Sequence, residues 1–244
     1  MGNVIVTGGS RGLGLGIAKA LCAAGHDVIA VARRQSEQIT EAMKEVESVS
    51  SGSIDFVSFD LGCIGELPAL VRNIRQRYGP IFGLVNNAGI GTSGVLATMR
   101  DADIERLIRI NTISPLVLTK YVVRTMMAGH GGRIVNISSI VSFTGFSGLS
   151  VYSTTKSSLV GFTRSLAREV GSLGITVNAV APGFLDTEMT GDLGEQQRDK
   201  IARRSALRRM AEIDDVANAV EFLLSDKAKN ITGTTITVDA GNTA

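Results

Sequence analysis

Seven short runs rich in Val and Ile recur along this chain, and they decide most of what it can fold into. They are NVIVT at 3–7, DVIAVA at 27–32, IDFVSFD at 54–60, FGLVN at 82–86, GRIVNIS at 132–138, ITVNAVA at 175–181 and TTITVD at 234–239. Most are continuous apolar stretches, the mark of strands buried on both faces. Between them lie segments of helical length at 12–24, 36–49, 65–78, 101–128, 151–171 and 212–225. Strand and helix in turn predict a parallel sheet with right-handed crossovers. The expected architecture is a single doubly wound α/β domain of the Rossmann type over 1–244, with a parallel seven-stranded sheet and helices on both faces. Only 5% of residues are aromatic and Trp is absent, so aliphatic side chains must build the core. Pro115 lies inside the segment 101–128, so a bend or break is expected there. Residues 182–211 form one long polar, irregular stretch of the kind that serves as a lid.

Several function classes are excluded early. The net charge is +2 with no cluster of Lys or Arg, so no nucleic-acid partner is expected. Cys22 and Cys63 form no CxxC pair and His26 and His130 stand alone, which predicts free thiols and no metal site. No apolar run approaches the ~18–20 residues needed to span a bilayer. The first apolar stretch ends at Thr7-Gly8-Gly9, too short for a secretory core. A cytoplasmic enzyme without a membrane partner is the expectation.

The segment Thr7-Gly8-Gly9-Ser10-Arg11-Gly12-Leu13-Gly14 joins the first strand to the first helix. A helix start offers unpaired N–H groups and a positive dipole end, and glycine lets a phosphate approach the backbone. The spacing G-x-x-x-G-x-G departs from the usual dinucleotide pattern. Position adds the missing weight, because ligands bind beyond the carboxyl ends of parallel strands. Asp60, Asn86-Asn87-Ala88-Gly89, Ser138-Ser139 and Pro182-Gly183 all fall at such ends. One extended cofactor site accounts for all five clusters.

Further along, Tyr152 and Lys156 stand four apart in a helical segment and therefore share a face. With TGGSRGLG at 7–14, NNAG at 86–89, Asn111, Ser139, Tyr152-Ser-Thr-Thr-Lys156 and Pro182-Gly183 in this order, the chain resembles the short-chain dehydrogenase/reductase family. The segment LAREVGSLGITVNAVAPGFLDTEMT at 166–190 is most similar to the β-ketoacyl-carrier-protein reductase type. The resemblance implies hydride transfer between a nicotinamide and a carbonyl or alcohol carbon. It assigns catalysis to Asn111, Ser139, Tyr152 and Lys156. It also implies a cofactor bed of Gly8, Ser10, Arg11, Gly12, Leu13, Gly14, Asp60, Leu61, Asn87, Ala88, Gly89, Pro182, Gly183 and Thr187, joined by Tyr152 and Lys156. Within it Asp60 contacts adenine, Asn87 lies along the adjoining ribose and Thr187 bonds the carboxamide, which would make 184–205 a lid.

The identity of the nicotinamide is read from the end of the second strand. An acid there would hold the ribose hydroxyls of NAD. This chain has Arg33 and Arg34 instead, with Arg11 opposite, which predicts NADP(H). A free Tyr titrates near ~10, and a nearby ammonium favours its phenolate. Tyr152 is thus expected to exchange the proton, with Lys156 beside it also reaching the nicotinamide ribose. By the spacing of the resembling family Ser139 should hold the substrate oxygen, with Ser138 as its rival, and the resemblance implies that Asn111 anchors a water linking Lys156 to solvent for proton supply.

The substrate is the open question. Phe143, Phe146, Leu149, Phe184, Leu185 and Met189 are candidates for an apolar pocket. Reductases of the resembling type place basic side chains where this chain has His130 and Leu173, to receive an acidic carrier protein. Arg124, Arg133 and Arg168 are nearby in sequence and are candidates to compensate. A thioester on CoA or on acyl carrier protein, or a small alcohol, sugar or cyclic ketone, all remain open. So does a dinucleotide-binding regulator without turnover, although Asn111, Ser139, Tyr152 and Lys156 are all present. A homo-oligomer, dimer or tetramer, is implied by the family.

Overall fold

Each apolar run becomes a strand. The computed structural model describes residues 2–49, 51–91, 93–129, 131–185 and 194–244. The strands are β1 (Asn3–Thr7), β2 (Asp27–Ala32), β3 (Ile54–Ser58), β4 (Ile81–Asn86), β5 (Gly132–Ile137), β6 (Ile175–Pro182) and β7 (Thr235–Val238). The helices are α1 (Gly12–Ala23), α2 (Glu37–Val49), α3 (Leu67–Tyr78), α4 (Asp101–Ile108), α5 (Ser114–Met126), α6 (Ser150–Val170), α7 (Glu195–Arg204) and α8 (Ile213–Leu224).

All seven strands are parallel and lie in the order β3-β2-β1-β4-β5-β6-β7. The chain therefore reverses direction across the sheet between β1 and β4, and the carboxyl ends there open a crevice for a ligand. Alternation along the strands distributes the core. Val4, Val6, Val28, Ala30, Val85 and Val135 face α1, α2 and α8. Ile5, Ile29, Val31, Leu84 and Ile134 face α3, α5 and α6. The third strand ends at Ser58, short of the expected residue 60, because Asp60 is already in a turn where its Oδ1 accepts from Gly62 N at 2.8 Å.

The long segment 101–128 neither breaks nor continues as a regular helix. Arg109–Ile113 form a π-helical turn between α4 and α5. Pro115 falls in the first turn of α5, directly after the π-helical turn. The irregular stretch before α8 contains α7. Its far end is anchored: Ala206 N donates to Gly241 O at 3.2 Å and Leu207 N to Ala240 O at 3.1 Å. Leu185 pairs with Ala211 in a parallel bridge. Helix α8 then starts on a capping box between Glu212 and Asp215.

Candidate active site

The loop between β1 and α1 is shaped by what its glycines touch. Gly8 and Gly12 have φ of 67° and 53°, the left-handed region that favours glycine. A Cβ on Gly14 would lie 2.2 Å from Gly8 O and 2.5 Å from Asn87 Nδ2, so α1 packs directly on the loop. A Cβ on Gly12 would meet nothing within 4 Å, so this part of the loop faces open space. No side chain caps the start of α1, so its first N–H groups are not taken by one. Ser10 is half-buried, and its carbonyl accepts from the Ser36 hydroxyl at the head of α2. Leu13 packs against the core, so its contribution to a cofactor is its backbone.

Thr7 ties this loop to the end of β4. Its Oγ1 accepts from the backbone N–H groups of Asn87 and Ala88, both at 3.0 Å, and Asn87 Nδ2 donates to Thr7 O at 2.9 Å. Beneath them a buried polar ladder crosses the sheet. The Asn86 amide donates to Thr119 Oγ1 at 2.9 Å and to Asn136 Oδ1 at 2.8 Å, and the Asn136 amide donates to Thr163 Oγ1 at 2.8 Å. Hydrogen-bonded polar groups in such a place fix the register of neighbouring elements.

Asn111 lies in the π-helical turn and is 1% exposed. Its Oδ1 accepts from Ile90 N at 2.9 Å, and its Nδ2 donates to Ile90 O at 2.8 Å and to Thr155 Oγ1 at 3.2 Å. One side chain thus joins the Asn-Asn-Ala-Gly loop to α6. A Cβ on Gly89 would come 3.4 Å from both Asn111 Oδ1 and Lys156 Nζ, so that glycine keeps the three groups close.

Tyr152 and Lys156 occupy successive turns of α6, with Lys156 Nζ 5.7 Å from the centre of the Tyr152 ring. Lys156 is buried and donates to Ile137 O at 2.9 Å. Burial disfavours charge on both groups. It pushes the Tyr152 phenol up to about 12 and the Lys156 ammonium down to about 8. The expected lowering of the phenol by its lysine neighbour is therefore outweighed here, since desolvation acts on the ammonium as well.

The two serines at the end of β5 part ways. Ser138 is buried and its hydroxyl donates to Lys156 O at 2.9 Å. Ser139 is half-buried, and among the described residues its Oγ accepts only a long bond from Val141 N at 3.4 Å and its proton has no acceptor. The turn that follows Ser139 is pinned to α6, because Ser153 Oγ donates to Val141 O at 2.6 Å and Ser157 Oγ to Ser142 O at 2.8 Å.

These are the elements of a family whose model, described as short chain dehydrogenase, matches residues 2–198. The chain belongs to the short-chain dehydrogenase family. Among its relatives is the 3-oxoacyl-[acyl-carrier-protein] reductase FabG of Pseudomonas aeruginosa, 41% identical over 97% of this chain and 95% of that protein. The corresponding reductase of Staphylococcus aureus is 36% identical over 98% and 97%. A short-chain dehydrogenase/reductase structure from Serratia marcescens superposes with a TM-score of 0.92 at 33% identity, covering 99% and 98%. A gluconate 5-dehydrogenase from Burkholderia cenocepacia, in complex with NADP and tartrate, gives 0.91 at 28% identity, covering 99% and 94%.

Not every expected residue of this dehydrogenase sits as foreseen. Arg33 and Arg34 are exposed after β2, with no ion-pair partner among the described residues. Arg11 is also exposed, at the start of α1. Asp60 is exposed after β3, but the side chain of Leu61 is in the core, leaving only its backbone for adenine. Pro182 ends β6, and Gly183 follows it with a N–H donated to Val238 O. Of the apolar candidates, Leu185 is 6% exposed and belongs to the core. Phe143 lines a different cleft, with Ser157, Arg164 and Thr235 between α6 and β7. Leu149 is half-buried, and the rings of Phe146 and Phe184 come together. Thr187, Met189 and His130 lie outside the described residues, as does much of the expected lid.

The compensating arginines also need correction. Arg133 is buried at the start of β5, stacked on Phe82 at 5.6 Å and 3.6 Å from Asp226. Leu173 follows the end of α6, and Arg168 and Arg124 sit in the last turns of α6 and α5. In a parallel sheet those helix ends lie at the edge opposite Ser139, so these groups do not border this chain's own substrate mouth. The bonds of Thr7, Ser153, Thr155 and Ser157 that hold the site together are not assigned by the motifs. The run Tyr-Ser-Thr-Thr-Lys-Ser-Ser at 152–158 held a signal, since such residues favour a helix poorly unless their hydroxyls find partners.

Proposed function

We propose that this chain reduces a 3-oxoacyl thioester to the 3-hydroxyacyl thioester with NADPH. The reading is carried by one observation: half-buried Tyr152 and buried Lys156 on one helix, with the Ser139 turn bonded onto the same helix. The relatives named as 3-oxoacyl reductases support the substrate class, and neighbours solved with NADP support the cofactor.

The residues present fit a phosphorylated dinucleotide. Gly12 and the start of α1 offer an open bed for the pyrophosphate, and Arg33 and Arg34 offer unpaired guanidinium groups for a 2′-phosphate. The exposed Asp60 carboxylate suits the adenine amino group. The nicotinamide supplies the hydride. Ser139 donates a hydrogen bond to the substrate carbonyl oxygen and holds it in place. Tyr152, protonated at neutral pH and held further from ionisation by its surroundings, gives its proton to the oxygen as negative charge develops there. Lys156, with its Nζ 5.7 Å from the centre of the Tyr152 ring, would hold the ribose beside Tyr152. Asn111 orders the loop beneath and, through a water, connects Lys156 to solvent. Residues 184–205 serve as the lid, and the Leu185–Ala211 bridge fixes the chain near its start.

A panel of carbonyl compounds tests the reading. With NADPH, 3-oxoacyl-CoA should be consumed faster than cyclic ketones or sugars. Turnover of a sugar or cyclic ketone with no reduction of any thioester would move the activity elsewhere in the family.

A further inference from the structure

We propose that Phe146 and Phe184 form an aromatic wall that selects substrates with an extended aliphatic chain beyond the reacting carbonyl. The inference rests on the thioester reading and names which thioesters are preferred.

The two phenylalanines come from separate loops. Phe146 lies between Ser139 and Tyr152, and Phe184 is the second residue after β6. Strands β5 and β6 are neighbours, with Ile137 opposite Val180, so both loops leave the sheet at the edge that carries Ser139. Their rings meet with centroids 5.7 Å apart and planes at 57°. A third loop joins them, because Gly94 N donates to Gly148 O at 2.9 Å. That loop presents Val95 and Leu96, which are 63% and 55% exposed, and Phe146 is itself 51% exposed.

Apolar surface gathered from three loops at a catalytic edge marks a binding site more than a fault of packing. The chemistry of the loops narrows the occupant. Residues 93–99, 143–149 and 183–185 contain no charged side chain. A sugar acid or a phosphorylated sugar would find no counter-charge in them. A run of methylenes would lie against ring faces and aliphatic side chains and shed water from both. Only part of each methylene can be covered on an open wall. The expected gain in kcat/KM is therefore about twofold per added methylene, less than full burial would give.

The test is a series of 3-oxoacyl-CoA substrates from four to ten acyl carbons, with kcat and KM measured separately at saturating NADPH. The parent should improve with length, mainly through KM. Phe146→Ala and Phe184→Ala should lose more on the ten-carbon substrate than on the four-carbon one, flattening the series. Phe146→Leu, which keeps apolar bulk and guards against a change in loop folding, should retain most of the slope. Equal slopes in parent and alanine variants, with the four-carbon substrate still reduced by the parent, would overturn the wall and spare the thioester reading. No reduction of any thioester by the parent would overturn both.

Discussion

Burial acts on Tyr152 and Lys156 in opposite senses, and each shift has a measurable consequence. The Lys156 ammonium titrates near 8 in the fold against 10.5 for a free lysine. Between those values the unfolded chain binds more protons than the folded one, so stability from this group rises as pH increases through the window. Below about pH 8 the full cost of burying the charge is present. Lys156→Met removes that cost together with the bond to Ile137 O. The parent should therefore gain on the variant between pH 8 and 10.5 in urea denaturation, and a constant difference would show that Lys156 is not desolvated. Arg33 gives a second residue-scale prediction. Arg33→Asp places an acid where a 2′-phosphate would sit and loses a charged hydrogen bond. The NADPH-to-NADH ratio of kcat/KM should fall about tenfold or more, and an unchanged ratio would remove Arg33 from the pocket.

The elements around the site are held by contacts that leave little slack. Gly14 puts α1 against Gly8 O and Asn87 Nδ2, and a methyl group there has nowhere to go. Gly14→Ala should cost about 2 kcal/mol of stability and weaken NADPH binding, read by thermal unfolding and by calorimetry. Normal binding with normal stability would mean that the helix can shift. Asn111→Ala removes three hydrogen bonds between the π-helical turn, the loop at Ile90 and α6. At about 1 kcal/mol each, a loss of about 3 kcal/mol is expected in denaturant titration. This turn was not visible in the sequence. Arg109–Ile113 reads as ordinary helix, and the partners that Asn111 finds there, at residues 90 and 155, are distant in sequence. Pro115, which looked like the breaking point, simply opens the next helix.

At the scale of the whole molecule, the sheet was legible because continuous aliphatic runs separated by helical lengths admit few other packings. The catalytic edge was legible for the same reason, since the carboxyl ends of parallel strands collect their loops on one side. Legibility stopped where one side chain had to be told from its neighbour. Ser138 and Ser139 differ only in which points at Lys156 O, and Leu61, Leu185 and Phe143 are apolar residues whose destinations depend on the packed fold. The placing of Leu173, Arg124 and Arg168 away from the substrate mouth likewise follows from helix direction, not from their spacing in the chain. The central claim is that this scaffold serves one act, the gift of a proton from Tyr152 as the carbonyl of a 3-oxoacyl thioester takes up a hydride. Tyr152→Phe keeps the ring and deletes the hydroxyl, so kcat for a short 3-oxoacyl thioester should fall about a thousandfold while NADPH affinity, measured on the same sample, stays within a few-fold of the parent. A variant that turns over within a few-fold of the parent would contradict the account.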